Sequence, residues 1–523
     1  MISRSILWVV LALVAVILVP VTLRPRQTVS AAADETLVII TPHNEAVRYE
    51  FGRAFASAHL GKTGKSVRID WRTPGGTSEI ARYLSSEYLG AFRYFWETKL
   101  NHPWNAAVQA GFDNPRQAPG DGTPEGSARN QFLDSKVSCG IDLMFGGGSF
   151  DFAQQASAGR LVNCGMLAAH PEIFGKEGAI PQTLEGEPFW DPKGRWVGAA
   201  LAAFGICYNT DVLARLGIGT PPVEWRDLAN PRLQASVALS DPTQSGSTAK
   251  AFEMLVQEQI ARADGDPSKG WQAAMRLIQR IAANARYFTD SASKVPWDVE
   301  SGDAAAGMVI DYYGRFQSES VRRHDGTSRL GYVTPERGSS FGADPIGMLR
   351  GAPSPELARA FIEFVISPEG QKLWNWKIGA PGGPERYALR RLPVLPALYA
   401  PEFARWRSDP EVNPFQDARR FVYHPEWTGA LFRTIGFVVK AMCIDPHDEL
   451  REAWAALIKA GFPPQATALF EDVRAVDFTA ATQIIKPALG SGQKLDQVRL
   501  EKALFDRFRA QYLQVTALAH AGK

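Results

Sequence analysis

The chain has few cysteines and little net charge, and each shortage excludes a class of protein. Four cysteines occur, at Cys139, Cys164, Cys207 and Cys443, without a CxxC pair, so a zinc site of the usual ligand spacing is not expected. The formal net charge is only +2, whereas a nucleic-acid-binding protein needs a concentrated basic surface. With 45% apolar and 21% charged residues, the composition is that of a folded globular protein, not a disordered one.

Long apolar runs are also scarce, since the sequence has one such run, Ile6–Leu23. Arg4 precedes it and the small residues Val29–Ala33 follow it. A basic start, an apolar middle and a small-residue site are typical of a secretory signal. The run also approaches the length of a membrane span, roughly 17–25 residues. We therefore expect residues 1–31 to be a signal peptide or a retained membrane anchor, with the rest of the chain periplasmic or extracytoplasmic.

An oxidising compartment would permit one or two disulfides among the four cysteines. Cys139 and Cys164 flank one short predicted strand-helix unit, so theirs is the first pairing that we expect. Sequence alone allows three complete pairings of four cysteines.

Compact apolar segments alternate with helical patterns along most of the chain. Thr36–Ile40 is predicted to be a strand, and Thr41 with Pro42 then suits the start of a helix, with Glu45 near its positive end. Val67–Trp71 is the next strand. Strands alternating with helices predict an α/β fold with a mostly parallel sheet. Further predicted strands are Ile141–Phe145, Gly205–Asn209, Ser236–Leu239, Ala306–Ile310 and Phe341–Gly347.

Two regions depart from this alternation. Residues 83–137 are first aromatic and then rich in Gly, Pro, Asn and Asp. They are predicted to be an insertion, a helix followed by a long loop, and loops of this length are usually functional or mobile. Residues 385–523 carry repeated amphipathic segments rich in Arg and Ala, which predict a helical C-terminal extension of domain size.

Several predicted strands end in a small-residue turn from which a helix starts at once. In open α/β sheets, ligands bind beyond the carboxyl ends of the strands, where helix N-termini offer unpaired N–H groups that favour anions. Glycine lets a ligand approach the backbone closely. The turns predict a small-molecule site made of these residues: His43, Asn44, Glu45, Gly75, Gly76, Thr77, Gly147, Gly148, Ser245, Gly246 and Ser247.

The order of these segments resembles the periplasmic solute-binding proteins of ABC importers, in particular the group that includes ferric-ion-binding proteins. The resemblance covers roughly residues 36–384 without the aromatic insertion, and it is specific in the tail, at Ser354–Ala358 and Ile366–Gln371. The other segments that carry it are Leu37–Asn44, Asp142–Phe152, Asp241–Ala251, Ala304–Arg315 and Asp344–Trp374.

This resemblance implies a two-lobed clamshell with parallel-rich sheets and a helical C-terminal extension. We expect lobe 1 to comprise residues 36–208 with 344–384, and lobe 2 to comprise residues 209–343. Hinges are expected near Tyr208–Asn209 and Asp344–Pro345, and closure of the lobes would trap a ligand for a membrane permease. The implied protein is a monomer that binds a small molecule or a metal ion, with no nucleic-acid partner and no cofactor.

The resemblance also implies a set of iron ligands. Tyr312 and Tyr313 fall where ferric-ion receptors place two metal-binding tyrosines, and His43 and Glu79 are candidates for the remaining ligands. Phenolate and carboxylate oxygens are hard donors that suit Fe³⁺, so ferric iron with a synergistic anion is the first expectation for the transported ligand. Relatives of this type also bind phosphorylated sugars, phosphonates or polyamines, and a buried Tyr pair is often only a packing feature. Ser291, ahead of the Tyr pair, could hold a ligand or cap a helix.

Two other classes, an enzyme and a periplasmic sensor, are alternatives to a transport receptor. Gly146–Ser149 resembles an oxyanion loop, but no GxSxG nucleophile elbow accompanies it. Glu45 and Asp142 could be imagined as a glycosidase pair, yet their separation is not fixed by the sequence. We therefore expect a receptor without catalytic residues. A sensor or interaction protein on the same fold differs from it mainly in the partner.

Overall fold

The computed structural model describes residues 33–175, 179–417, 420–491 and 493–521. The predicted signal or anchor segment, residues 1–31, lies outside the described residues. Most of the strands form two mixed sheets, one in each of two lobes. The strands are β1 (Glu35–Ile40), β2 (Val67–Arg72), β3 (Leu143–Phe145), β4 (Leu161–Val162), β5 (Thr183–Leu184), β6 (Glu187–Pro188), β7 (Val197–Ala202), β8 (Phe204–Asn209), β9 (Val237–Ser240), β10 (Ala285–Thr289), β11 (Ala306–Ile310), β12 (Leu330–Val333), β13 (Gly342–Leu349) and β14 (Leu392–Pro393).

Helices cover the faces of both sheets, as the alternating pattern predicted. The helices of the first 400 residues are α1 (Glu45–Thr63), α2 (Thr77–Thr98), α3 (Ala106–Gly111), α4 (Pro124–Asp134), α5 (Ser149–Ala158), α6 (Met166–Ala169), α7 (Pro171–Phe174), α8 (Thr210–Arg215), α9 (Gly246–Arg262), α10 (Pro267–Ala283), α11 (Lys294–Ser301), α12 (Asp311–Ser320), α13 (Pro355–Ile366) and α14 (Pro368–Asn375). Those that follow are α15 (Pro414–Asp417), α16 (Pro425–Thr428), α17 (Phe432–Val439), α18 (His447–Ala460), α19 (Pro464–Phe470), α20 (Phe478–Ala480), α21 (Lys486–Gly490) and α22 (Lys494–Ala521).

Lobe 1 is built on a sheet of order β14-β7-β13-β3-β1-β2, with β4 paired to β13. Strand β1 runs parallel to β2 and β3, and β13 runs antiparallel to β3 and β7. Lobe 2 has the order β10-β9-β11-β8-β12, in which β9 is parallel to β10 and β11. The two-lobed α/β prediction is confirmed. Both sheets are mixed and not mostly parallel as expected, because β13 and β14 in lobe 1 and β8 in lobe 2 pair antiparallel with their neighbours.

Helix α1 shows how the first predicted site segment folds. Its N-cap is Asn44, whose side chain accepts a hydrogen bond from the Val47 N–H, so the prediction that Thr41 caps the helix is wrong. The Thr41 hydroxyl instead accepts a hydrogen bond from the His43 N–H at 3.1 Å. An Asn at the cap satisfies an N–H that the helix leaves free. The helix therefore begins after His43, which lines the space between the lobes.

The aromatic insertion is a third hydrophobic core. Tyr88, Phe92 and Trp96 lie four residues apart on one face of α2 and are buried, as helical spacing requires. The Phe92 ring stacks on Phe112 with centroids 4.9 Å apart, and it meets Phe132 edge-on at 5.4 Å. The second half contains α3 and α4, so the prediction of one long loop is wrong. This aromatic core packs against the lobe 1 sheet at Ile40, Met144 and Leu349.

The structure shifts the predicted boundary between the lobes. The chain leaves lobe 1 after β7 and enters lobe 2 with β8, so the crossing is at Ala203 and not after Tyr208. It returns between the end of β12 at Val333 and the start of β13 at Gly342. The predicted hinge at Asp344–Pro345 lies within β13, in the sheet of lobe 1. The crossing strands themselves were predicted, but their ends were not.

The C-terminal region is helical as predicted, but it is not a separate body. Strand β14 pairs with β7 of lobe 1, so the extension does not begin at 385. Farther along, Trp454 donates its indole N–H to the side chain of Asn284 in lobe 2 at 2.8 Å. Tyr512 accepts a hydrogen bond from Gln279 at 3.0 Å. Buried residues of lobe 2 and of these helices form one continuous core.

Two further predictions concern the cysteines and the membrane. All four cysteines lie among the described residues and are free thiols, so the expected Cys139–Cys164 disulfide is wrong. The Cys164 thiol instead lies 3.3 Å from the carbonyl of Gly194. Within the described part of the chain, one helical segment, Pro425–Ile444, is long and apolar enough to cross a membrane, and 56% of it is buried inside the protein. That degree of burial is typical of a core helix.

Candidate functional site

A cavity of about 610 Å³ lies between the two lobes. We call it the cleft. Its size is within the range of small-molecule sites, roughly 300–1,000 Å³. Residues from both lobes line it: Pro42, His43, Asn44, Thr73, Gly75, Gly76, Thr77, Glu79, Gly147, Gly148, Ser149, Phe150, Asp151, Glu187, Ala202, Phe204, Gln244, Ser245, Gly246, Ser247, Lys250, Asp290, Ser291, Ala292, Ser293, Ile310, Tyr312, Tyr313, Gly342, Ala343, Asp344, Arg391 and Phe432.

Three helix N-termini meet in this cleft. Helices α2 and α5 come from lobe 1 and α9 comes from lobe 2, and all three have eight or more residues. A Cβ placed on Gly246 would lie 2.5 Å from the Thr77 hydroxyl, and one on Gly147 would lie 2.7 Å from the Thr77 methyl group. Thr77 therefore touches both neighbouring helix starts. Free N–H groups and aligned helix dipoles give this meeting point a positive potential.

Glycine is required at two positions of this meeting point. Gly147 has φ 131° and Gly75 has φ 145°, conformations that side-chain-bearing residues rarely adopt. The N–H of Gly147 donates to the carboxylate of Asp344 at 2.5 Å. One backbone donor of the turn is thus already satisfied by the protein. The small-residue turns predicted from the sequence are confirmed as turns that begin helices.

Asp151 is a carboxyl group at the same point. It lies in the first turn of α5 and lines the cleft, and its Oδ2 would be 3.5 Å from a Cβ on Gly246. Burial raises its pKa to about 6, against the opposing effects of the Gly148 backbone and the Arg433 charge. Near neutral pH this group can therefore change its charge inside the cleft.

Arg391 forms a second charged group with His43 and Asp344. Its guanidinium pairs with the Asp344 carboxylate and donates to His43 Nε2 at 2.8 Å. Burial alone would raise the pKa of Asp344, but the Arg391 charge, together with the contacts to His43 and the Gly147 N–H, outweighs it and lowers that pKa. Burial lowers the pKa of His43, which keeps the imidazole neutral. His43 thus serves as a hydrogen-bond partner within this ion pair.

Lys250 provides a cation on the lobe 2 side. Its ammonium lies 2.9 Å from Glu187 of lobe 1 and 2.9 Å from Glu253 of its own helix, and it sits over the Tyr423 ring at 3.9 Å. Burial would lower the pKa of Lys250, but the two carboxylates together raise it above its ordinary value. The ammonium therefore stays charged and links the two lobes.

The predicted tyrosine pair also lies in the cleft. The rings of Tyr312 and Tyr313 are 4.2 Å apart at a tilt of 42°, and the Arg391 guanidinium lies 4.5 Å from the centre of the Tyr312 ring. Burial raises the pKa of Tyr312 well above its ordinary value, so its phenol is protonated at neutral pH. A metal ion would have to displace that proton.

The structure brings almost all of the predicted site residues into the cleft. The exception is Glu45, which begins α1 and is exposed outside the lining. Of the predicted metal ligands, His43 directs Nε2 at the Arg391–Asp344 ion pair, 2.8 Å from Arg391 and 3.2 Å from Asp344, and Glu79 pairs with Arg82. Several lining residues were missed by sequence reasoning, and those that carry charge or an aromatic ring include Phe150, Asp151, Glu187, Lys250, Asp344, Arg391 and Phe432.

A resident metal or cofactor was not expected. Among the described residues, no group of three or more His, Cys, Asp and Glu side chains could hold a metal ion. The iron expectation therefore depends on Tyr312 and Tyr313.

A cleft between two mixed-sheet lobes, lined by helix N-termini from both, defines a solute-binding protein of the clamshell class. Residues 141–394 match the family described as bacterial extracellular solute-binding protein. The match covers just under half of the chain. The family's location outside the cytoplasm agrees with the expectation from the N-terminal apolar run.

Similarity to individual proteins is more distant. The chain is 28% identical over 242 residues to an uncharacterized protein of Haemophilus influenzae, over 46% of this chain and 61% of that protein. It is 27% identical over 177 residues to the phosphoglycerate transport regulatory protein PgtC of Salmonella typhimurium, over 34% of this chain and 40% of that protein. The chain thus matches about half the length of these curated relatives.

Among solved structures, the periplasmic binding protein AfuA of Actinobacillus pleuropneumoniae, with bound fructose-6-phosphate, aligns with a TM-score of 0.44. The alignment covers 65% of this chain and 82% of that chain, at 18% identity. This likeness concerns the fold alone.

Proposed function

We propose that this protein is the receptor of an ABC importer and that its cleft binds a small organic anion, such as a phosphorylated sugar or a phosphonate. The observation that carries the proposal is the meeting of three helix N-termini around Thr77, with Gly147 and Gly246 against it. Helix N-termini bind phosphate through backbone N–H groups. Because the three helices come from both lobes, an anion bound there would favour the closed arrangement.

The charged side chains of the cleft fit this proposal. Lys250 and Arg391 are cations in the lining, and each is already held by protein carboxylates. Their charges are therefore largely balanced, and the unbalanced positive potential comes from the helix starts. The similarity to PgtC, a protein whose name refers to phosphoglycerate transport, is consistent with an organic phosphate.

Ferric iron is the second candidate, and the tyrosine pair is the observation that favours it. Tyr312 and Tyr313 lie side by side in the cleft, and phenolate oxygens are hard donors. Two features oppose it, since the Arg391 guanidinium sits over the Tyr312 ring and His43 is engaged elsewhere. We therefore place the organic anion first.

A thermal-shift panel tests the proposal with 3-phosphoglycerate, fructose-6-phosphate, 2-aminoethylphosphonate, putrescine and ferric citrate as probes. A ligand at 100 times its Kd stabilises the folded state by about 2.7 kcal/mol. We expect at least one of the organic phosphates or the phosphonate to raise Tm, and putrescine to leave it unchanged. Stabilisation by putrescine alone would contradict the proposal.

The iron candidate has its own readout. A ferric-phenolate complex is coloured, and Tyr312→Phe would bleach it, whereas Tyr94→Phe, at a site 62% exposed outside the cleft, would not. If the protein stays colourless in ferric citrate, ferric iron is excluded as the ligand.

The proposed mechanism is closure of the two lobes over the ligand, which changes the surface that a permease meets. The proposed location is outside the cytoplasm, with residues 1–31 cleaved as a signal or kept as an anchor. N-terminal sequencing of the protein from a periplasmic fraction separates these two outcomes. Binding of the panel ligand without chemical change would support a receptor over a hydrolase.

A further inference from the structure

One cleft residue comes from the C-terminal region, outside the segment that matches the solute-binding family. Phe432 is the first residue of α17. This helix packs on lobe 2, where a Cβ on Gly436 would lie 3.5 Å from the carbonyl oxygen of Pro242. Phe432 is therefore held by lobe 2, although it lies far from the rest of that lobe's cleft residues in sequence.

The ring of Phe432 contacts lobe 1. It lies 4.4 Å from the ring of Phe150, centroid to centroid, with the planes inclined by 31°. Phe150 is the second residue of α5 and directly follows the turn that starts this helix. An aromatic pair thus bridges the two lobes beside one of the helix N-termini. Such pairs contribute more than the burial of their surface alone.

The segment that leads to α17 also contacts both lobes. Phe415 packs against the core of lobe 1, and Phe421 packs against the core of lobe 2. Tyr423 then donates its backbone N–H to the Glu185 carbonyl of lobe 1 at 2.8 Å, and its hydroxyl to Glu253 of lobe 2 at 2.9 Å.

The contact of Tyr423 with lobe 1 is close. Gly186, at the tip of the β5–β6 hairpin, has φ 83°. The Tyr423 carbonyl oxygen occupies the space that a side chain at Gly186 would need. The β5–β6 hairpin of lobe 1 therefore packs closely against Tyr423.

We propose that the C-terminal region is a latch that completes the binding cleft, in which Phe432 holds the lobes together before any ligand binds. The role of the cleft rests on the proposed receptor function, but the latch itself does not. In a two-lobed receptor, contacts made only in the closed state shift the population toward that state. Here the Phe150–Phe432 pair, with the Lys250–Glu187 ion pair, provides such contacts.

The distance between the lobes in the ligand-free protein tests this latch. Tyr94 in lobe 1 and Trp297 in lobe 2 are 62% and 59% exposed, so Tyr94→Cys and Trp297→Cys can carry spin labels. Cys139→Ser removes the one native cysteine that is not fully buried. Double electron-electron resonance then gives the distance distribution. The full chain is used without ligand, so the outcome is independent of ligand identity.

We expect one narrow distribution for the labelled parent. Phe432→Ala and Phe150→Ala should each shift it to longer distances, and the double variant should shift it no further than either single one. Phe316→Ala, at a site 45% exposed outside the cleft, is the matched control and should leave the distribution unchanged. Phe150 lies on the opposite lobe, so Phe150→Ala tests the same contact if Phe432→Ala folds poorly. A distribution that neither substitution changes would overturn the proposal.

Discussion

Arg391 and Asp344 form a buried ion pair in the cleft, with the Arg391 side chain 3% exposed and that of Asp344 7% exposed. Arg391 follows Arg390, whose φ of 52° is unusual for a residue with a side chain. Arg390 extends to Asp409 at 2.5 Å, while Arg391 extends into the cleft. The left-handed turn thus directs two consecutive arginines to different partners.

Loss of Arg391 should destabilise the protein, because Asp344 would keep a buried charge without its partner. We expect Arg391→Met to lower the free energy of unfolding by about 3–5 kcal/mol. Arg391→Met combined with Asp344→Asn should cost less than the sum of the two single substitutions. Urea unfolding measures the free energy of unfolding of the two single variants and the double variant.

The exposed pair of Arg72 and Asp70, with N and O atoms 2.7 Å apart, provides the control. Arg72→Met should change the free energy of unfolding by less than about 1 kcal/mol. If Arg391→Met and Arg72→Met lowered the free energy of unfolding equally, burial of the Arg391–Asp344 pair would not explain its contribution to stability.

Asp151 should make both stability and ligand binding depend on pH. Burial raises the pKa of its carboxyl from 3.8 to about 6 in the folded protein. The folded state therefore binds a proton more tightly than the unfolded chain, so this contribution to stability is present below about pH 4 and is lost as pH rises through about 6. Asp151→Asn should abolish this decrease in the free energy of unfolding. We expect the decrease to be about 1–2 kcal/mol, because the Asp151 side chain keeps some solvent contact.

The same group should affect an anion bound beside Gly246. Ionised Asp151 repels the anion, so binding of methanesulfonate, whose own charge is constant in this range, should tighten as pH falls from 7 to 5.5, and Asp151→Asn should show a flatter profile. Iron held by phenolates should show the opposite trend, because protons compete for the tyrosines. Titrations at several pH values in wild type and Asp151→Asn measure the effect, and an unchanged slope in the variant would contradict it.

The C-terminal helices should unfold together with lobe 2. Trp454 is 3% exposed and donates a hydrogen bond to Asn284. Trp454→Ala should therefore cost about 3–5 kcal/mol. Leu495→Ala, on a helix of the same region but 60% exposed, should stay within about 0.5 kcal/mol.

Calorimetry with the two variants checks this shared core. We expect a single cooperative unfolding transition, whose Tm is lower in Trp454→Ala. A second transition that moves alone would show that the C-terminal region folds independently of lobe 2.

Local patterns were sufficient to predict the backbone of the site. The turns at Gly75–Thr77, Gly147–Gly148 and Ser245–Ser247 were found because a strand end, small residues and a helix start are adjacent in sequence. The cap at Asn44 was misplaced by three residues, since Thr41 and Asn44 are both good caps and only the tertiary position of His43 decides between them.

The charged side chains of the cleft could not be predicted in this way. Arg391 lies in a segment assigned to the C-terminal extension, and its partner Asp344 is far away in sequence. Lys250 lies one turn inside α9, with no motif to mark it, and its partner Glu187 belongs to the other lobe. Such pairs depend on long-range packing, which a single sequence does not show. The same reason explains why the contact of Phe432 with Phe150 was missed.

The most direct test of the anion cleft is a calorimetric titration of 3-phosphoglycerate and fructose-6-phosphate into wild type, Gly246→Ala and Gly90→Ala. A Cβ at Gly246 would meet the Thr77 hydroxyl at 2.5 Å where the helix starts converge, whereas one at Gly90 has no atom within 4 Å. We expect wild type and Gly90→Ala to bind at least one of the two phosphates equally, and Gly246→Ala to lose at least tenfold in affinity, about 1.4 kcal/mol. Equal affinity in all three proteins would contradict the assignment of the helix N-termini as the anion site.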